Sequence, residues 1–143
     1  MVPKDVISKA VTGFHRLVFD LSRAQVAGKV GGMPVLKLTT VGRKSGQPRA
    51  TMLTSPLVDG DDVILVASNG GDDRNPMWFS NILANPDVDV VMGGTTKAMR
   101  ARIAESDERT RLWEALTAKH ANYAGYQRKT SRQIPVVVLE PRP

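Results

Sequence analysis

A mainly β chain with helices (α+β), folded as a small antiparallel barrel of about six strands and three helices, is the architecture that this 143-residue sequence predicts. Three observations lead there. Short β-branched or alternating apolar runs recur between turn signals, at Val35–Thr40, Ala50–Ser55, Val63–Ala67, Asp87–Met92, Thr95–Ile103 and Ile134–Leu139. Most of these runs are joined as hairpins, through segments carrying Asp-Gly, Gly-Gly or a Gly–Pro pair, which argues against a doubly wound sheet. Helical spacing is confined to Asp5–Arg23, Pro76–Ala84 and a stretch opening at Ser106.

The length fits one domain, with residues 1–30 as an N-terminal amphipathic helix and linker and 31–143 as the barrel. Apolar residues at 41% and charged residues at 24% are near the globular average. Cysteine is absent, which excludes disulfides, thiolate zinc sites and a Cys nucleophile and is compatible with a reducing cytosol. His15 and His120 offer no ligand cluster, so no metal is expected. With no apolar run of about 18 residues and no signal peptide, a cytoplasmic location is expected. The net charge of +6 asks for an anionic partner: nucleic acid, an acidic membrane surface or an acidic small molecule.

From the N-terminus, Val6/Ile7, Ala10/Val11, Phe14, Leu17/Val18 and Leu21 make one apolar stripe flanked by Lys4, Lys9, Arg16 and Arg23. Such a helix packs on its own domain or across a dimer, or lies peripherally on an anionic membrane. Gly28–Pro34 reads as a flexible link. Val35–Thr40 and Ala50–Ser55 then flank the tip Gly42-Arg-Lys-Ser-Gly-Gln-Pro-Arg49, which carries three cations and no acid. Gly42 and Gly46 permit positive φ and would bring N–H groups to a ligand, and the guanidinium forks suit phosphate or carboxylate oxygens; a solvated basic turn is the other reading. The spacing is not that of a Walker phosphate loop, which also requires a following helix. Asp59-Gly60 marks the next hairpin, leading into the buried run Val63–Ala67.

Ser68-Asn-Gly-Gly71 then precedes Asn75-Pro76, an N-cap and first-turn pair for the short helix that ends at Asn85-Pro86. Backbone donors at this strand–loop–helix suit carbonyl or anionic oxygens of a planar ring, with Trp78 as an aromatic wall; a plain loop with Trp78 in the core is the alternative. Arg100 and Arg102 alternate onto one strand face and read as a solvated surface. Ser106 caps a helix with acids in its first turn, along which Leu112, Trp113, Leu116, His120 and Tyr123 follow at spacings of three and four. Tyr123 and Tyr126, beside His120, can donate a proton or clamp a flat ligand, or simply pack. Arg128–Arg132 is a basic loop before the last strand.

Taken together, Leu38-Thr-Thr-x-Gly-Arg-Lys-Ser-Gly-Gln-Pro-Arg49, Ala67-Ser-Asn-Gly-Gly71 with Asn75-Pro-Met-Trp78, and Ile134-Pro-Val-Val-Val-Leu-Glu-Pro141 resemble the deazaflavin-dependent nitroreductase family, in order and spacing, over roughly Met33 to Pro141. The resemblance implies a split β-barrel like that of the FMN-binding reductases, and use of coenzyme F420, whose phosphate, lactyl and oligoglutamate tail is anionic. By that resemblance Arg43, Lys44, Ser45 and Arg49 hold the tail and phosphate, and Ala50, Thr51, Met52, Leu53 and Thr54 line the same groove. Val66, Ala67, Ser68 and Asn69 meet the ring, with Met77, Trp78, Phe79, Ser80 and Asn81 beside it. Tyr123 and Tyr126 match tyrosines on the substrate side. Some members have tyrosine in place of His120 and lysine in place of Asn69, so the substrate wall differs.

The implied reaction is hydride transfer from the reduced deazaflavin to an electron-poor small molecule, an activated C=C or a nitroaromatic ring. Tyr123 is the expected proton donor, with Tyr126 and His120 as alternates and Ser68 polarising the substrate. An FMN-binding oxidoreductase of the pyridoxamine-oxidase type is the first rival. A nucleic-acid-binding barrel is the second, disfavoured because aromatics are 5% and not interleaved with the basic residues. Monomer and homodimer are both compatible with the sequence.

Overall fold

Two strand segments apolar at every residue, Val63–Val66 and Val136–Leu139, sit at the centre of the domain because each buries side chains on both faces. In the computed structural model, which describes residues 29–30 and 32–143, Val63, Leu65, Val137 and Leu139 point into one core with Leu36, Leu38, Val88, Val90 and Met99. Ile64, Val136 and Val138 point the opposite way, into a second core with Leu112, Leu116 and Tyr123. The period of two that alternates side chains across a strand, applied to a continuous apolar run, gives a sheet covered on both sides.

The strands are β1 (Lys29–Val30), β2 (Met33–Val41), β3 (Pro48–Thr54), β4 (Leu57–Asp59), β5 (Asp62–Val66), β6 (Asp87–Met92), β7 (Thr95–Ile103) and β8 (Val136–Pro141). All pairings are antiparallel, in the order β1-β2-β6-β7-β8-β5-β4, with β3 on the other edge of β2. The result is the expected split barrel, with two more strands than the sequence suggested: β1 and β4 are two and three residues long, too short to show a pattern. Part of the segment expected to be a flexible link thus pairs, Lys29 and Val30 lying opposite Pro34 and Met33. The amphipathic stretch Asp5–Arg23 lies outside the described residues, among which no helix is long and apolar enough to cross a membrane.

Helix α1 (Met77–Ala84) closes the first core with Trp78, Phe79 and Ile82. Helices α2 (Ser106–Lys119) and α3 (Asn122–Arg128) cover the second. The expected continuous helix breaks at His120, whose φ of −135° and ψ of 84° are not helical, yet Tyr123 still reaches the core that Leu112 and Leu116 occupy. Neither expected N-cap forms. Glu105 takes the capping position before α2, and Pro76 that before α1, because the Asn75 amide is engaged elsewhere.

Arg100 and Arg102 lie on the outer face, as their alternation indicated, and are paired: Arg100 with Asp87, and Arg102 with both Glu140 and Glu108. The Arg102 guanidinium, bonded to Glu108, holds that carboxyl below its ordinary 4.5. A carboxyl lowered in the folded state contributes stability that is complete above its unfolded value and is lost as pH falls through the folded one. Arg102→Ala should therefore be less stable than the parent near pH 7, with the gap closing below about pH 4.5. Urea melts across that range measure it; a gap independent of pH would assign the arginine's contribution to its aliphatic stem.

Candidate functional site

The basic tip between β2 and β3 is built by two glycines with different reasons. Gly46 sits at φ +71°, a left-handed conformation that side chains resist. Gly42 has no positive φ; a Cβ there would lie 2.7 Å from Ser45 Oγ and 3.2 Å from Gln47 O, so close approach excludes a side chain. Three of the tip's backbone donors, those of Gly42, Gly46 and Gln47, are consumed locally. Gly42 N–H bonds Gln47 O at 2.7 Å, Gly46 N–H bonds Gly42 O at 2.8 Å, and Gln47 N–H bonds Ser45 Oγ at 3.2 Å. The N–H groups of the two glycines themselves are thus spent within the turn, and the exposed side chains of Arg43, Lys44 and Arg49 carry the tip's charge.

Opposite the tip, α1 is tied to it by Asn81, which is 5% exposed. Its Nδ2 donates to Thr40 Oγ1 at 3.0 Å, and its Oδ1 accepts from Arg43 N–H at 3.2 Å. Between hairpin and helix lies a cleft of about 770 Å³, within the range of small-molecule and cofactor sites. Ten residues expected on sequence grounds line it: Arg43, Lys44, Ser45, Arg49, Ala50, Thr51, Asn69, Met77, Trp78 and Asn81. Gly42, Asn75 and Pro76, which belong to the two segments singled out in the sequence, line it as well, together with Thr40 and Arg74, which were not named as site residues.

Among the described residues, Arg43, Lys44 and Arg49 have no carboxylate partner. Arg43 Nη1 lies 4.0 Å from the Met77 thioether, and Arg49 Nη2 donates to Ser45 Oγ at 3.3 Å. Arg74 is the exception, bonded to Asp72 at 3.2 Å while 85% exposed at its side chain. Trp78 forms the inner wall, edge-on to Phe79 with centroids 6.3 Å apart. The cleft can thus take a flat apolar body carrying several negative charges at one end.

The remaining candidates surround this lining without joining it. Met52, Leu53 and Thr54 continue along β3, Leu53 against the first core; Val66 packs on the second core, and Ala67 and Phe79 are buried in the first. Ser68 and Ser80 are half-buried. Tyr123 is 6% exposed in the second core, its hydroxyl 3.5 Å from the Met33 sulfur, and burial pushes the phenol's pKa above its ordinary value. Tyr126 is half-buried and meets Tyr123 edge to face at 6.0 Å. His120, also half-buried, stands beside Gly32 at the β1–β2 turn.

Comparison with known proteins follows the same geometry. A family model described as F420H(2)-dependent quinone reductase matches residues 15–141. An F420H(2)-dependent quinone reductase of Mycobacterium tuberculosis is 39% identical over 132 residues, covering 90% of this chain and 88% of that protein. A solved structure of an F420-H2-dependent reductase, FDR-A, is 39% identical, covers 75% of this chain and 94% of its own, and superposes with a TM-score of 0.67. Another, described as a domain-swapped dimer, is 34% identical, covers 93% of this chain and all of its own, with a TM-score of 0.68.

The tie between hairpin and helix is directly testable. Asn81→Ala leaves the Arg43 N–H without its acceptor and should lower stability by about 1–3 kcal/mol in urea denaturation. A change below about 0.5 kcal/mol would mean that the hairpin keeps its position without the amide.

Proposed function

The chain belongs to the F420H(2)-dependent quinone reductase family, and we propose that it reduces a small, electron-poor ring compound of the quinone type with coenzyme F420 bound in the cleft between the β2–β3 hairpin and α1. The observation that carries this reading is the row of Arg43, Lys44 and Arg49, uncompensated by any carboxylate among the described residues, along a cleft walled by Trp78. A single phosphate leaves part of that charge unmatched; an extended polyanionic tail matches it.

The donor set fits the group. Arg43, Lys44, Ser45 and Arg49 would hold phosphate and tail carboxylates, Ala50 and Thr51 the groove beyond them, and Asn69, Met77, Trp78 and Asn81 the flat end. When bound in its reduced form, the deazaflavin supplies a hydride. The protein's part is to orient and to manage protons: a quinone that accepts hydride also takes up one proton to become the quinol, so a proton must reach it. Ser68, at the start of the cleft loop, and Tyr126, half-exposed on α3 behind that loop, are the groups we assign to the acceptor side, with His120 further out. Tyr123, 6% exposed in the second core and outside the cleft lining, has a packing role in this reading.

Titration of the protein with oxidised coenzyme F420 and separately with FMN, followed by fluorescence, tests the cofactor. Deazaflavin binding at micromolar or tighter affinity, weak FMN binding, and oxidation of the reduced cofactor by a benzoquinone or naphthoquinone in preference to nitroaromatics and activated alkenes is the expected set. FMN binding without deazaflavin binding would hand the cleft to a flavin. Arg43→Ala should weaken the deazaflavin about 10- to 150-fold, the equivalent of one charge-assisted bond. Tyr123→Phe should keep turnover within about tenfold of the parent; a loss of roughly 10²–10⁴ would restore Tyr123 as the proton donor.

A further inference from the structure

Behind the cleft, a single arginine gathers the backbone of the loop that forms one of its walls. Arg132, in the basic stretch after α3, donates from Nε to Asp72 O at 2.9 Å and from Nη1 to Asn75 Oδ1 at 2.8 Å. Its Nη2 lies 3.2 Å from Ala67 O, 3.0 Å from Ser68 O and 3.3 Å from Arg74 O. Four carbonyls and an amide oxygen of Ala67–Asn75 thus converge on one guanidinium, and none of the five acceptors is charged.

That convergence is costly for the loop by itself. Asn69, Gly70 and Gly71 follow one another at φ of 47°, 65° and 87°, conformations that chains avoid outside glycine. Carbonyl dipoles brought together without a cation repel, whereas a guanidinium at their focus converts the same geometry into a set of charge-assisted bonds. The loop is also braced from α3: a Cβ on Gly71 would meet Tyr126 O at 2.9 Å, and Thr130 Oγ1 bonds Asp73 Oδ1 at 2.7 Å. Asn69, Arg74 and Asn75, the wall residues of the cleft, ride on this backbone.

We propose that Arg132 is a positioning residue for the reductase: it touches no ligand, and it fixes the Ala67–Asn75 wall in the shape that receives the ring of the cofactor, a role that rests on the cleft's being the deazaflavin site. Lysine keeps the charge but can neither fork nor span five acceptors, so the inference separates geometry from electrostatics.

The test uses the full chain with Arg132→Lys and Arg132→Ala. In the protein without cofactor, amide hydrogen–deuterium exchange over 67–75 should speed up in both variants while the peptides of β2, β6 and β8 keep the parent's protection. Deazaflavin affinity should fall roughly ten- to a hundredfold in both, and about 20 mM guanidinium chloride should restore it in Arg132→Ala where equal sodium chloride does not. Binding by Arg132→Lys at the parent's affinity, or unchanged exchange in the loop, overturns the proposal. Failure of the parent protein to bind the deazaflavin would instead strike the cofactor assignment, with the exchange result still deciding whether Arg132 holds the loop. Should Arg132→Ala fail to fold, Arg132→Lys carries both measurements.

Discussion

One buried amide sets the width of the cleft. Asn81 reaches from α1 to Thr40 and to the backbone of Arg43, and no apolar residue of its size can do this without stranding the Arg43 N–H. The tip it fastens cannot be held by packing, since Arg43, Lys44, Ser45 and Gly46 are exposed. Helix and hairpin are therefore joined by hydrogen bonds where the tip begins, at Thr40 and Arg43, and the cleft opens beside that joint.

The sheet makes that arrangement affordable in structural terms by placing the remaining demands elsewhere. Because β5 and β8 are covered on both faces, α2 and α3 stabilise the domain from the side away from α1. Charge is divided in the same way. On the outer surface several acids have arginine partners, Asp87 and Asp89 with Arg142, Glu108 and Glu140 with Arg102, Asp59 with Arg111. At the cleft, by contrast, Arg43, Lys44 and Arg49 have no carboxylate partner among the described residues.

Much of this was legible in the sequence. The strands showed because each carries an apolar run or alternation that a half-buried or buried sheet requires, whereas the cleft residues 43–51 came from the family resemblance of Leu38–Arg49, since the basic tip alone reads equally as a solvated turn. What stayed hidden depends on contacts across long separations. The two shortest strands exist only through their partners. Asn75 looked like a helix cap because its local spacing is right, but a residue 57 positions away claims its oxygen. Arg132 looked like one member of a basic loop, and nothing within ten residues of it names the carbonyls it collects. The glycines of the tip were read as an amide cradle, whereas the turn spends those amides on itself. Tyr123 had the spacing that places it with Leu112 and Leu116 and does join their core, although the helix breaks at His120 before it.

The unpaired cations also bear on time. Arg43, Lys44 and Arg49 line a concave surface with a low-dielectric wall behind them, and such a surface focuses its field outward and draws anions from beyond contact distance. Capture of an anionic ligand is then fast and strongly dependent on ionic strength, while its escape is governed by the short-range contacts with Ser45, Trp78 and the loop, which salt screens little. Arrival and departure are set by different parts of the same cleft, so residence can be lengthened by changes in the wall without slowing the encounter.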